Sequence, residues 1–271
     1  MFSSQTRSPR ILGVLNVTPD SFSDGSEEAL AVDRALMRAA ELVGEGADGL
    51  DLGGESTRPG ATPIDTETER RRVLPVLRAV RARFPSLPLS VDTRNPVVAE
   101  EALQAGATAL NIHGGLDDRL ATVLQTHRCP VIAYHTEEGV ANSHEALLRR
   151  VEAFFQDQER RAASLQIPLI LDPGIGWKTV PETVFLLDHL DALQNGKRTL
   201  LVGVSRKRHL AVLLRQVLSL PALPGVHERM EAGLAEAAIA IVRGASVIRT
   251  HDVASAKRFF AIFNLFERRS S

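Results

Sequence analysis

Eight short apolar runs punctuate the chain, and each is followed by a longer stretch with helical spacing. The runs are ILGVLN (11–16), DGLDLG (48–53), LPLSVDT (87–93), ATALNIH (107–113), PVIAYH (130–135), PLILDP (168–173), TLLVGVS (199–205) and ASVIRTH (245–251). They are continuous in polarity rather than alternating, the pattern of parallel strands covered on both faces. Between them, apolar residues recur at steps of three and four, as in Val32, Leu36, Ala39 and Val43, or Leu147, Val151, Phe154 and Phe155. Gly44, Gly46, Gly106 and Gly244 stand where such helices end. Eight strand–helix repeats without a break in composition predict one (β/α)8 TIM barrel over residues 11–268, behind a short flexible N-terminus at 1–10. The rival is a doubly wound open sheet. It calls for fewer strands and a Gly-rich turn after the first, and no G-x-G-x-x-G follows the first strand here.

Two connections exceed what closing a barrel requires: TPDSFSDGSEE after the first strand and GESTRPGATPID after the second. Both are rich in Gly, Ser, Thr, Pro and Asp and read as mobile polar loops on the strands' C-terminal side. Two helices, about 206–218 and 226–243, are expected between the seventh and eighth strands, split by SLPALPG.

Composition narrows the partners. The 271 residues carry 32 Lys+Arg against 33 Asp+Glu, a formal charge of −1, with no long basic run, which argues against a nucleic-acid binder. At 44% hydrophobic residues the chain can bury a large core. No apolar stretch approaches the ~20 residues of a membrane span, and MFSSQTRSPR lacks a signal peptide's apolar segment. Cys129, the single cysteine, cannot form an internal disulfide and suits a reducing compartment. A cytoplasmic protein without membrane partners is expected.

The predicted strands end in polar residues one after another: Asn16, Asp51 with Glu55 to Arg58, Asp92, Asn111 with His113, His135, Asp172, Ser205 with Arg206 and Lys207, and Arg249 with His251. In a barrel these ends form one mouth, where function sits. Asp92, Asn111, Asp172 and Lys207 suit a planar heterocycle, because a carboxylate facing an N–C–NH2 edge accepts two parallel hydrogen bonds. Helix capping is the competing role for both Asp92 and Asp172. Asn16, Arg58, Arg249 and His251 suit an anion such as pyrophosphate. Asn16 also offers an oxygen to Mg2+, although one ligand makes a site only with substrate phosphates. A packed strand end with a capping histidine is the plainer account of Arg249 and His251.

Other chemistries fit less well. His113 and His135 lack a third ligand at zinc spacing. Ser205 lacks the G-x-S-x-G turn and a dedicated base. Cys129 precedes the fifth strand, away from the mouth. The lone Trp177 and lone Tyr134 fall at strand C-termini, where they suit a stacking wall for a flat ligand or simple loop packing.

ILGVLNVTPDSFSDG (11–25), DLGGESTRPG (51–60), SVDTRNP (90–96), LILDPGIGWK (169–178), VGVSRK (202–207) and VIRTHDV (247–253) together resemble the dihydropteroate synthases, of the pterin-binding enzymes, along nearly the whole chain. The resemblance implies a Mg2+-dependent barrel transferase of folate biosynthesis. Such an enzyme joins 6-hydroxymethyl-7,8-dihydropterin pyrophosphate to p-aminobenzoate and releases pyrophosphate and 7,8-dihydropteroate. It implies catalytic roles for Asn16, Asp92, Asp172, Lys207, Arg249 and His251. The pterin pocket would comprise Asp92, Asn111, Asp172 and Lys207, with Trp177 and Ser205 also lining the substrates. Asn16, Arg58, Arg249 and His251 would hold pyrophosphate and metal, with Asn16 as the metal ligand. Phe22, Thr57, Arg58 and Pro59 would border p-aminobenzoate, and the two long loops would close over a pterin cation. It further implies a sulfonamide target and a homodimer through late helices, where Phe259, Phe260, Phe263 and Phe266 crowd the last one.

The match is not complete. After Asn111 the family's usual Asp is replaced, with Ile112 followed by His113. The fifth strand's usual Met-His reads Tyr134-His135, and the loop after Asp172 is shortened to DPGIGWKT. A non-catalytic pterin-binding paralogue and a pterin-dependent methyltransferase therefore stand as alternatives. The second would have no need of an anion site.

Overall fold

Continuous apolar runs become eight parallel strands: β1 (Arg10–Asn16), β2 (Gly49–Gly53), β3 (Leu89–Asp92), β4 (Ala109–His113), β5 (Val131–Tyr134), β6 (Leu169–Asp172), β7 (Leu201–Val202) and β8 (Val247–Thr250). The computed structural model describes residues 8–17, 28–55, 64–136 and 139–267. Strand order is β6-β5-β4-β3-β2-β1-β8-β7. A single bridge between Leu171 and Leu200 joins β6 to the residue before β7 and brings the sheet round into a barrel. Helices alternate with the strands: α1 (Glu28–Gly44), α2 (Thr66–Arg83), α3 (Pro96–Gln104), α4 (Asp118–His127), α5 (His144–Leu165), α6 (Val180–Asp188), α7 (Arg208–Val217), α8 (Met230–Val242) and α9 (Val253–Glu267). The expected (β/α)8 barrel, with its two helices between β7 and β8, is what the chain forms.

Strand pleat sorts the side chains into two sets. One set, including Ile11, Leu15, Leu50, Leu52, Val91, Leu110, Ile112, Val131, Leu171, Val202 and Ile248, points outward and is buried under the helices. The other set fills the lumen, where Leu12, Ile132, Ile170, Leu201 and Val247 form a separate apolar plug. Being apolar on both faces is what makes each strand read as an unbroken run.

Helix starts are fixed by side-chain caps. The Asp65 carboxylate accepts the Thr68 N–H at 2.7 Å and starts α2. Asn95 accepts the Val97 N–H at 3.0 Å and starts α3. Thr179 and Glu182 form a reciprocal capping box at α6. β7 is only two residues long, shorter than the 199–205 run. Beyond Val202 the backbone leaves the ladder, and Ser205 engages the end of β8 instead. Among the described residues no helix is long and apolar enough to cross a membrane.

Candidate active site at the barrel mouth

Two residues along β5, β6 and β8 from the apolar plug, and four along β1, the lumen turns polar. Register pairs Asp92 with Asn111, Asn111 with Ile132, and Tyr134 with Asp172, so these side chains share one face. The same alternation carries Leu12 to Asn16 through Val14 on β1, and Val247 to Arg249 on β8. The lower lumen is therefore a hydrocarbon floor beneath a ring of ionisable groups, at the end of the barrel where strands hand over to loops.

Asp51 is the most buried member of that ring, at 0% exposure. Its carboxylate accepts from Ser90 Oγ at 2.5 Å, Asn111 Nδ2 at 3.0 Å and Arg249 Nε at 2.6 Å. Arg249 also reaches Asp92 through Nη2 at 3.4 Å. One guanidinium thus stands between two carboxylates. Burial, and then the neighbouring Asp51 charge, push the Asp92 carboxyl above the usual range, although Arg249 opposes both. Sequence reasoning placed Arg249 with Asn16 and His251 at an anion site. In the structure its guanidinium is bound to the Asp51–Asp92 pair, because a carboxylate as buried as Asp51 needs a countercharge. Asp51 itself stood among the polar strand ends without a role. A single acidic residue between leucines in GLDLG, at lumen parity, was the available signal.

The capping accounts of the other two carboxylates fall away. Asn95, not Asp92, caps α3. Asp172 lies well before the cap of α6 at Thr179. Its Oδ1 accepts the Gly174 N–H at 2.8 Å, inside the turn after β6. That turn requires glycine, since Gly174 has φ +78° and a Cβ there would run into the His135 carbonyl oxygen. Burial raises the Asp172 carboxyl to about 6, with Lys207 pulling the other way. Burial lowers the Lys207 ammonium to about 8, with Asp172 opposing. Lys207 donates from Nζ to the Ile175 carbonyl, and its Nζ lies 5.7 Å from the Tyr134 ring centroid. Asp172 and Lys207 are thus coupled charges, each weakened by desolvation and each sustained by the other.

Trp177 and Tyr134 pack on each other edge-to-face at 5.9 Å, and His113 completes the cluster at 4.9 and 5.3 Å from them. At the other side of the mouth, Asn16 Nδ2 meets His251 Nε2 at 3.3 Å. Ser205 Oγ lies 3.2 Å from both His251 N and Nδ1, and donates to Asp252 Oδ2 at 3.2 Å. With the ring proton on Nδ1, all these contacts are satisfied together: Asn16 donates to Nε2 and Nδ1–H donates to Ser205. Asp252 also forks with Arg206, at 2.5 and 3.2 Å. Ser205 therefore serves this polar corner, and its acid partner bonds it directly rather than through the histidine. Cys129 is buried and its thiol is pushed up to about 11, chiefly by burial. Phe22, Thr57, Arg58 and Pro59 lie outside the described residues. Among the described residues no group of three or more His, Cys, Asp or Glu is placed to hold a metal.

A barrel of this kind, with its ionisable side chains gathered at the C-terminal mouth, is of the enzyme class built on the (β/α)8 frame. Residues 12–251 match the family described as pterin binding enzyme. A dihydropteroate synthase of Escherichia coli strain K12 is 37% identical over 256 residues, covering 90% of this chain and 87% of the relative. The structure of Xanthomonas albilineans dihydropteroate synthase with 4-aminobenzoic acid superposes with a TM-score of 0.86 at 36% identity, covering 96% and 93% of the two chains. The same enzyme in complex with 7,8-dihydropteroate gives a TM-score of 0.85 at 32% identity, covering 98% and 95%. The chain belongs to the pterin-binding enzyme family, among the dihydropteroate synthases.

Proposed function

We propose that the protein is a dihydropteroate synthase of folate biosynthesis, joining 6-hydroxymethyl-7,8-dihydropterin pyrophosphate to p-aminobenzoate with release of pyrophosphate. Relatives with this activity match along the chain, and one is solved both with 4-aminobenzoic acid and with 7,8-dihydropteroate. The observation that carries the reading is the pairing of buried carboxylates with Asn111, Lys207 and Arg249 above an apolar floor. That arrangement suits a flat ring with a polar edge and a developing positive charge.

The chemistry follows from those groups. Electron donation from the pterin ring to its exocyclic methylene lets the C–O bond break ahead of attack. Asp92 and Asp172 would stabilise the resulting cation, Asp172 from a buried position and Asp92 from a largely buried one on the same lumen face. The aryl amine, neutral at pH 7, attacks the methylene carbon; a C–N bond forms, pyrophosphate leaves and the amine's proton passes to solvent. His251, Ser205 and Asn16 form the polar corner for the leaving group. The Asn16 amide oxygen, a hard ligand, suits Mg2+ together with pyrophosphate oxygens, and a bound ion there supplies charge neutralisation to the leaving group. Sulfonamides, as p-aminobenzoate analogues, would compete for the amine's place.

A homodimer is part of this proposal. Ile239 and Val242 on α8 and Ile262, Leu265 and Phe266 on α9 are exposed apolar side chains on neighbouring helices. Phe260 is core, and Phe259 and Phe263 pack partly buried against it, so only Phe266 of the four extends that surface. Pyrophosphate release, assayed with each substrate omitted in turn and with Mg2+ chelated, tests the reaction. Release that does not depend on p-aminobenzoate, or tight pterin binding without turnover, would reject the synthase. Sedimentation of Phe266→Glu beside the parent protein tests the dimer.

A further inference from the structure

The pterin reading leaves two buried polar atoms of the lumen ring unexplained, Tyr134 Oη and His113 Nε2. Tyr134 Oη is shielded from solvent and has no hydrogen-bond partner among the described residues. Leaving a hydroxyl in that state costs on the order of 1–3 kcal/mol, which phenylalanine or methionine at the same position would avoid. The ring's setting restricts where the hydroxyl can go. Tyr134 is in register with Asp172 on one side and His113 on the other, so it faces the lumen. His113 and Trp177 pack against the ring edge-to-face. The Cβ position of Gly174 lies 3.5 Å from Cε2, and Lys207 Nζ sits over the ring face. Walled in on these sides, the ring shares the lumen face with Asp172, its register partner, and with Arg249 and Asp92. These are the groups assigned above to the heterocycle.

We propose that Tyr134 is a further ring-recognising residue of the pterin pocket, its hydroxyl forming a hydrogen bond with a polar atom of the bound heterocycle. The inference rests on the functional reading above and adds to it a contact from β5. A methionine at that position, as in the family's usual Met-His pair, has no hydroxyl to make it. Asn111 Oδ1 is likewise buried without a partner among the described residues, and it lies on the adjoining strand β4. Asn111 is in register with Ile132, so its amide lies one lumen position below the tyrosine. His113 and Trp177 hold the tyrosine by edge-to-face packing.

The test is calorimetric titration of pteroic acid into the full-length protein and its Tyr134→Phe and Tyr134→Met variants, with thermal unfolding of each. Tyr134→Phe is expected to raise Kd about tenfold with its melting temperature equal to or above the parent's, because the hydroxyl makes no bond inside the protein. The KM for p-aminobenzoate should stay the same. An unchanged Kd in Tyr134→Phe overturns the inference while leaving the functional reading in place. So does a loss of thermal stability in that variant, which would reveal a partner within the protein. A parent protein that does not bind pteroic acid overturns both.

Discussion

Arg249 on β8 donates its Nε–H to the Asp51 carboxylate on β2 at 2.6 Å, passing inside the barrel across β1, which lies between those strands. Residues 198 positions apart are thereby tied together in the lumen. Removing one member of such a pair leaves the other charge buried, at a cost of about 3–5 kcal/mol. Asp51→Ala should fall at the low end of that range, because Arg249 retains Asp92. A double-mutant cycle with Arg249→Ala, read by urea unfolding, should give a coupling above about 1.5 kcal/mol. Additivity within about 0.5 kcal/mol would mean that the pair is not coupled.

For catalysis, Arg249→Ala is expected to lower kcat/KM by two to three orders of magnitude, about 3–4 kcal/mol, as for other lost electrostatic stabilisers. Lysine should not restore it, since the three donors of an ammonium share one nitrogen and cannot span Asp51 and Asp92 as Nε and Nη2 of the planar fork do. Steady-state kinetics of both variants decide the matter. Near-parental turnover in either one contradicts the role given to this side chain.

The turn after β6 makes a separate prediction. Gly174 needs a positive φ, and its missing Cβ leaves room for the His135 carbonyl. Gly174→Ala meets both the left-handed penalty of about 1–2 kcal/mol and a backbone clash. It also displaces the N–H that holds Asp172 at 2.8 Å. Loss of more than about 2 kcal/mol of stability and a marked fall in turnover are expected together. A variant with an unaltered melting temperature would show that the turn is not constrained in this way.

The pH profile should have limbs of known sign. Asp172 must be ionised to meet the pterin edge, and its carboxyl titrates near 6, so kcat/KM should rise with pH through that region. Lys207 loses its proton near 8, and with it the charge that sustains Asp172, so the rate should fall above that value. Lys207→Met should remove the alkaline limb and shift the acid limb upward, since Asp172 loses the charge that lowers it. A parental profile flat between pH 5 and 9 would contradict both assignments.

Strand number, the barrel and the mouth were legible in the sequence because each strand is covered on both faces, so Ile11 and Leu12, or Val131 and Ile132, are apolar on opposite sides. The polar ends Asp92, Asn111, Asp172 and Arg249 were legible for the same reason, as interruptions of apolar runs. Which of them meet was not. The grouping of Arg249 with Asn16 and His251 rested on chemistry suited to an anion. The structure binds Arg249 to Asp51 and Asp92, a choice set by the burial of Asp51, which depends on all the strands that enclose it. Tyr134 and Trp177 were legible as aromatics at the mouth, but their packing around His113 was not, since Trp177 reaches it through a turn whose path depends on Gly174 and Gly176.

Asp172 finally sets stability against activity. Its carboxyl is raised from 3.8 to about 6 in the folded protein, so the folded state binds more protons than the unfolded chain between those values. The stability it permits is full below about pH 4 and is lost as pH rises through 6. At about 1.4 kcal/mol per tenfold change, the loss at pH 8 approaches 3 kcal/mol. The weakened support of Lys207 in a neutral variant offsets part of this. Asp172→Asn should therefore be more stable than the parent at pH 8 by about 1–2 kcal/mol, or several degrees in Tm. The gain should disappear by about pH 4. The same substitution should depress pterin turnover strongly, because a carboxamide cannot neutralise the cation. Melting curves at pH 4, 6 and 8 beside kinetics at pH 8 test both halves. An Asn variant less stable than the parent at pH 8, or a gain independent of pH, would show that Asp172 carries no such burden in the folded protein.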